Sequence, residues 1–165
     1  EGEVLPAFEL LYLKGEATPG LSAFITHHLT PELIRRPEWL RHANRARHLR
    51  SVTVVTEDPV MTAMGYLPLF GPERIQVTDA MTVVDTGGSR VRFVTQRGLQ
   101  MLYTALLPLP EHPMPWIAAM KLEVADKNRC RDFLRDRHVL IEKTGKGCIV
   151  PPEVANGCII EFVQS

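Results

Sequence analysis

The chain writes one strand twice, and this duplication limits what it can fold into more than any other feature. Gly88-Ser89-Arg90-Val91-Arg92-Phe93-Val94 and Gly157-Cys158-Ile159-Ile160-Glu161-Phe162-Val163 share one form: a glycine, two residues, a β-branched apolar residue, a charge, then Phe-Val. A second strand-like stretch lies upstream of each copy, residues 51–58 and 119–126, and both close on an aspartate. From Asp58 to Gly88 is about 30 residues and from Asp126 to Gly157 about 31, the near-constant offset of an internal repeat.

Around those anchors, each copy reads strand, helix, strand, strand, strand. In the first, Asp58-Pro59 is an N-cap followed by a proline at the first helical position, opening a helix toward Phe70 that Gly71-Pro72 stops. Gly65 and Pro68 inside it make that helix short or irregular. Strands over about 74–78, 80–85 and 90–95 complete the unit. A helical connection over Leu99 to Leu107 and the proline-rich stretch Pro108 to Pro115 lead into the second. There Asp126 caps a helix over about 127–137, with Cys130, Phe133 and Leu134 at i, i+3 and i+4 as its buried stripe. Strands over about 139–143, 147–150 and 157–163 follow. Upstream, Phe8 to Leu13 and Leu21 to His28 flank Pro19-Gly20 and read as a hairpin. Thr30-Pro31-Glu32 opens a short helix, and the basic run Arg41 to His48, without apolar periodicity, is the linker into the repeat. The chain begins at Glu1 and runs almost at once into strand-like sequence, as a piece of a longer protein would.

At 165 residues the chain can bury a real core. Its 19 basic and 19 acidic side chains cancel, so no global field draws it to nucleic acid or an anionic membrane. No apolar run reaches the roughly 20 residues of a membrane span, and a signal peptide is not evident; the expectation is a soluble, cytoplasmic protein. Cys130, Cys148 and Cys158 lack metal or disulfide spacing and read as small hydrophobes.

Side chains alternate across a strand, so the two copies check each other. One face carries Val52, Val54, Val91, Phe93, Met120, Leu122, Val124, Ile160 and Phe162, all apolar, which the helices must cover. The opposite face carries Ser51, Thr53, Val55, Arg90, Arg92, Ala119, Lys121, Glu123, Ile159, Glu161 and Val163. It is mixed, and five of its side chains ionise.

A duplicated βαβββ unit with helices on one face and a polar face opposite resembles the vicinal oxygen chelate superfamily of glyoxalases, extradiol dioxygenases and antibiotic-resistance proteins. The closing strand Asn156-Gly157 to Glu161-Phe162 has that superfamily's form. More narrowly, His28-Leu29-Thr30-Pro31-Glu32-Leu33, Arg35-Arg36-Pro37-Glu38-Trp39-Leu40 and His42-x-Asn44 resemble glyoxalase-like domain proteins. The resemblance implies an α+β fold: two βαβββ modules (about 48–107 and 115–165) forming an open, curled mixed sheet with helices outside, preceded by an N-terminal hairpin and short helix. It implies that residues 1–47 are the remnant of an upstream glyoxalase-like half joined to the paired domain 48–165. Whether modules pair within one chain or between two is left open by the pattern.

In the superfamily a divalent metal is held from the first and last strands of each module. The corresponding positions here are Ser51, Arg92, Ala119 and Glu161, of which only Glu161 is a metal ligand type. No cofactor is therefore expected in this fragment, although the resemblance leaves a divalent metal to the parent protein. The candidate ligand-binding residues are Arg90, Arg92, Lys121, Glu123, Glu161, Ser51 and Thr53. Within them, Arg92 and Glu161 hold matching places in the two copies and are expected to face each other, as an anion site or as an ion pair replacing the metal. His28, His42 and Asn44 are junction candidates. Two functions follow. One is a glyoxalase-like domain with a degenerate metal site that binds a small anionic or aromatic molecule, or serves as the non-catalytic half of a lyase- or dioxygenase-like protein. The other is a metal-dependent glyoxalase or lyase whose site lies upstream or at a homodimer interface.

Overall fold

The computed structural model describes residues 5–165, so the first four residues of the expected N-terminal segment lie outside it. The chain opens with strands β1 (Phe8–Tyr12) and β2 (Phe24–His28), an antiparallel pair in which Phe8 faces His28 and Tyr12 faces Phe24. A single 3-10 turn, Pro31–Leu33, stands where the short helix is expected. The first module then runs β3 (Ala46–Val55), α1 (Pro59–Met64), α2 (Leu67–Phe70), β4 (Ile75–Val77), β5 (Thr82–Asp85) and β6 (Arg90–Val94). Helix α3 (Gln96–Leu102) and a 3-10 turn at Thr104–Leu106 lead to the second module. That module contains β7 (Trp116–Val124), α4 (Lys127–Asp136), β8 (Glu142–Lys143), β9 (Gly147–Val150) and β10 (Ile159–Val163). The fold is α+β with an open mixed sheet, as the sequence reading has it.

Local chemistry explains most element boundaries. Asp58 Oδ1 accepts the Val60 and Met61 amides at 3.0 and 2.9 Å, and Pro59 occupies the first turn of α1. Gly65 ends α1, so the expected helix divides in two. Asp126 Oδ1 accepts the Asn128 and Arg129 amides at the start of α4. Those amides, Arg129's foremost, hold the Asp126 carboxyl below the usual carboxylate range. One boundary differs from expectation. Strand β3 begins at Ala46, inside the basic run, because its backbone pairs with β7: Ala46 faces Val124 and His48 faces Glu123. Ladder hydrogen bonds need no apolar side chains, so periodicity cannot reveal them.

Eight strands form one sheet in the order β4-β5-β6-β3-β7-β10-β9-β8. Within each module the first and last strands run parallel, β3 with β6 and β7 with β10. The modules join within the chain, through the antiparallel pairing of β3 with β7. The face read as the core is the core: α1 and α2 cover Val54, Val84 and Phe93 together with Tyr66 and Ala63. Helix α4 covers Val124, Cys148, Val150 and Phe162 with Cys130 and Leu134. Each fully buried valine or phenylalanine among them contributes roughly 1.5–3 kcal/mol relative to exposure.

A third core lies on the opposite face, which the sequence reading had left mixed and open. Leu99, Tyr103, Leu106 and Leu109, all from the connection between modules, pack onto Val55, Val94, Ala119, Ile149 and Ile159. The connection therefore fills one end of the inner face and leaves the other end free. The β1–β2 hairpin is attached by its tip. Tyr66 Oη donates to the Pro19 carbonyl at 3.0 Å, Leu21 packs on the first-module core, and Thr18 is buried. A Cβ on Gly65 would stand 2.3 Å from Pro19 Cγ, so that docking requires glycine there.

Gly65→Ala is expected to lever the hairpin tip off the first module. Limited trypsin digestion should then cut at Lys14 faster, with the melting of the main sheet little changed. Asp126→Ala is expected to lower Tm by about 2–4 °C through loss of the α4 cap. That difference is complete above the ordinary carboxylate pKa and shrinks as pH falls through the depressed folded value, which thermal melts across acidic pH will read.

Candidate functional site

The free end of the inner face is a polar cleft of about 360 Å³. Its walls come from both modules. Strand β6 contributes Arg90 and Arg92, alternate residues on one face, with Ser51 and Thr53 of β3 beside them in parallel register. Strand β7 contributes Lys121, which faces Ser51 across the module junction. Strand β10 contributes Glu161 in register with Lys121, and the β8–β9 turn contributes Lys146. Arg50 joins them from an irregularity in β3, where the register slips between Leu49 and Ser51.

The charges in this cleft are largely paired. Lys121 Nζ lies 2.8 Å from Glu161 Oε2, both side chains mostly buried. Tyr103 Oη donates to the same carboxylate oxygen at 3.4 Å. Burial, then the Glu161 charge, pushes the Tyr103 phenol well above its ordinary value, so it stays an O–H donor. Arg50 Nε pairs with Glu123 Oε2 at 3.1 Å, linking the two modules. Asp85 is shared between Arg74 at 3.4 Å and Arg90 at 3.8 Å. Arg92 is half-buried and makes no ion pair or side-chain hydrogen bond among the described residues.

The sequence reading set Arg92 opposite Glu161; the structure puts Lys121 on Glu161 instead. Neighbouring strands lie about 4.8 Å apart, and parallel register makes Lys121 and Glu161 immediate neighbours on one face. Arg92 is separated from Glu161 by β3 and β7. Of the other candidates, Arg90, Lys121 and Glu161 line the cleft with Arg92, and Glu123 stands behind it, bound to Arg50. Ser51 and Thr53 are buried at 1% and 2% exposure, and Ser51 Oγ has no hydrogen-bond partner. The junction residues lie elsewhere. His28 meets Phe8 edge-on at 6.4 Å, the His42 carbonyl accepts the Arg45 amide, and Asn44 Oδ1 accepts the Ala46 amide at 3.1 Å. Asn44 and His42 thus shape the turn into β3.

Sequence reasoning missed Arg50, Tyr103 and Lys146. Arg50 was invisible because strict alternation assigns it to the helix-covered face, and only the register slip turns it inward. Tyr103 belongs to a connection whose docking no periodicity encodes. Lys146 had a signal, its place in Gly145-Lys146-Gly147, a turn between two strands of the repeat.

The positions at which the superfamily resemblance implies a metal carry Ser51, Arg92, Ala119 and Glu161. Ala119 is a core methyl at 1% exposure, and the one carboxylate already holds an ammonium. Among the described residues no group of three or more His, Cys, Asp or Glu side chains could hold a metal ion. This donor set does not fit a divalent cation.

No family model matches the chain, and no curated protein matches it in sequence. Solved structures do match. Methylmalonyl-CoA epimerase from Mycobacterium tuberculosis superposes with a TM-score of 0.51 at 15% identity, over 74% of this chain and 95% of that one. Methylmalonyl-CoA epimerase from Streptomyces coelicolor gives 0.48 at 14%, over 72% and 96%. A hypothetical protein from Bacillus halodurans gives 0.48 at 10%, over 71% and 93%. The chain has the vicinal oxygen chelate fold. Among the described residues no helix is long and apolar enough to cross a membrane.

The Lys121–Glu161 pair makes one clear test. Lys121→Met leaves a carboxylate in a mostly buried place without its cation, and is expected to cost about 2–4 kcal/mol in urea unfolding. Adding Glu161→Gln should recover at least half of that loss, because the stranded charge is gone.

Proposed function

We propose that this chain is a glyoxalase-like binding module with a degenerate metal site, and that its inner cleft takes a small organic anion. The observation that carries the reading is Arg92. It lines the cleft half-buried and unpaired among the described residues, while its acidic neighbours are held by other cations. A guanidinium that has lost part of its hydration without gaining a partner favours a bidentate carboxylate or phosphate oxygen pair. The surroundings suit that use. Glu161 is neutralised by Lys121, so it does not repel an incoming anion.

The Lys121 ammonium supports the degenerate reading of the metal site, since it occupies the carboxylate that a metal would need. Tyr103 supports it further by donating a second hydrogen bond to the same oxygen.

Thermal melts against a panel of small carboxylates and phosphates test this reading. A ligand at about 100 times its Kd should raise Tm by about 5–10 °C. Arg92→Ala is expected to weaken that ligand by roughly 10–100-fold while leaving the ligand-free Tm within a few degrees. Elemental analysis of protein purified without chelator should find substoichiometric metal. Stoichiometric metal that vanishes in Glu161→Gln would sink the proposal and make a metal-dependent lyase the better reading.

A further inference from the structure

We infer that the cleft selects an acyclic dicarboxylate, one carboxylate bound by Arg92 and the other by Lys146; this rests on the reading of the cleft as an anion site. The first observation is which cations of the cleft are paired. Arg50, Arg90, Arg92, Lys121 and Lys146 line the cleft, and Glu123, Asp85 and Glu161 engage Arg50, Arg90 and Lys121 in turn. Those three pairs leave two of the five lining cations without a carboxylate, and Asp85 is shared besides with Arg74 from outside the cleft. The two are Arg92 and Lys146, neither of which has a side-chain partner among the described residues. A ligand carrying two negative charges gives each of them a partner; a monoanion leaves one unmatched.

The second observation is where the two cations stand. Arg92 belongs to β6 of the first module and Lys146 to the β8–β9 turn of the second, four strand steps apart in the sheet. On a flat sheet that is roughly 19 Å across the strands, with a further offset of about five residues along them, and the curl that lets both line one cleft brings them closer. Two long side chains reaching inward from opposite walls suit a ligand with a charge at each end. A compact dianion would sit at one wall and leave the other cation unused.

The third observation is that the turn is held while the Lys146 side chain is free. Lys127 Nζ donates to the Gly145 carbonyl at 2.8 Å, and Arg131 Nε donates to the Gly147 carbonyl at 3.0 Å. The Gln164 amide donates to the carbonyl of Lys146 itself at 2.9 Å. Helix α4 and the end of β10 therefore fix the backbone at Lys146, and its exposed ammonium projects from a preset position at the mouth. Arg92 is preset as well, paired through its backbone to Thr53 and Val83 on either side. With both backbones fixed, the ordering cost of binding is confined to the two side chains, which favours a ligand of matching length.

Titration calorimetry of the whole chain with succinate, glutarate and adipate, beside butyrate and inorganic phosphate, decides the matter. The best dicarboxylate is expected to bind about tenfold tighter than butyrate. Lys146→Ala should bring that dicarboxylate down to the butyrate level and leave butyrate unchanged. Lys146→Arg should keep the preference, and Arg92→Ala should weaken both ligands by roughly 10–100-fold. Equal affinity for dicarboxylate and butyrate, or an equal loss of both in Lys146→Ala, overturns the two-ended site while the anion site stands. Phosphate binding tighter than every dicarboxylate overturns it too, in favour of a compact dianion at Arg92. Absence of binding by every probe overturns both this inference and the anion-site reading beneath it. Lys146 is exposed in a turn, so circular dichroism melts of the Lys146 variants are expected to match the parent.

Discussion

Everything in this molecule depends on one antiparallel pairing, β3 against β7. Each module alone is a four-stranded sheet with one face under helices and the other uncovered. The β3–β7 ladder turns two such sheets into one and sets the last strands, β6 and β10, on its two flanks. Because first and last strands run parallel within each module, equivalent residues of the two copies come to lie around a common inner surface. The register slip at Arg50 belongs to the same ladder, and it turns a cation into the cleft that regular alternation would place outside.

The inner surface is then divided by the connection between the modules. Burying Leu99, Tyr103, Leu106 and Leu109 against Val55, Val94 and Ile159 removes apolar surface that would otherwise face water. What remains exposed is the end at which the sequence carries Arg90, Arg92, Lys121 and Glu161. Tyr103 lies on the boundary: its ring belongs to the apolar core and its hydroxyl reaches Glu161. One residue thereby couples packing to the electrostatics of the cleft.

Low-dielectric surroundings make an unpaired carboxylate costly, and Glu161 shows how that cost is met. A carboxylate as buried as Glu161 is kept by an ammonium and a phenolic hydrogen bond together. The same arrangement explains why a metal fits poorly here: the position offers one carboxylate, already neutralised, and among the described residues no group of three or more His, Cys, Asp or Glu side chains could hold an ion. The Lys121 ion pair, formed inside one module, holds that carboxylate. Arg92 and Lys146 stand apart from it, without a carboxylate partner among the described residues.

The repeat, its strand order within each unit, the apolar face and the capping aspartates were all legible in the sequence. They are local or periodic properties: an N-cap needs one carboxylate and two amides, and a strand face needs only alternation. Four of the cleft residues were legible too, because alternation places Arg90, Arg92, Lys121 and Glu161 on one face. Which of them pair was decided by tertiary structure. Parallel register made Lys121 the partner of Glu161, the order of strands kept Arg92 away, and a register slip brought Arg50 inward. The filling of half the inner face by the connection was decided there as well, since docking of an irregular segment depends on surfaces that exist only once both modules are joined.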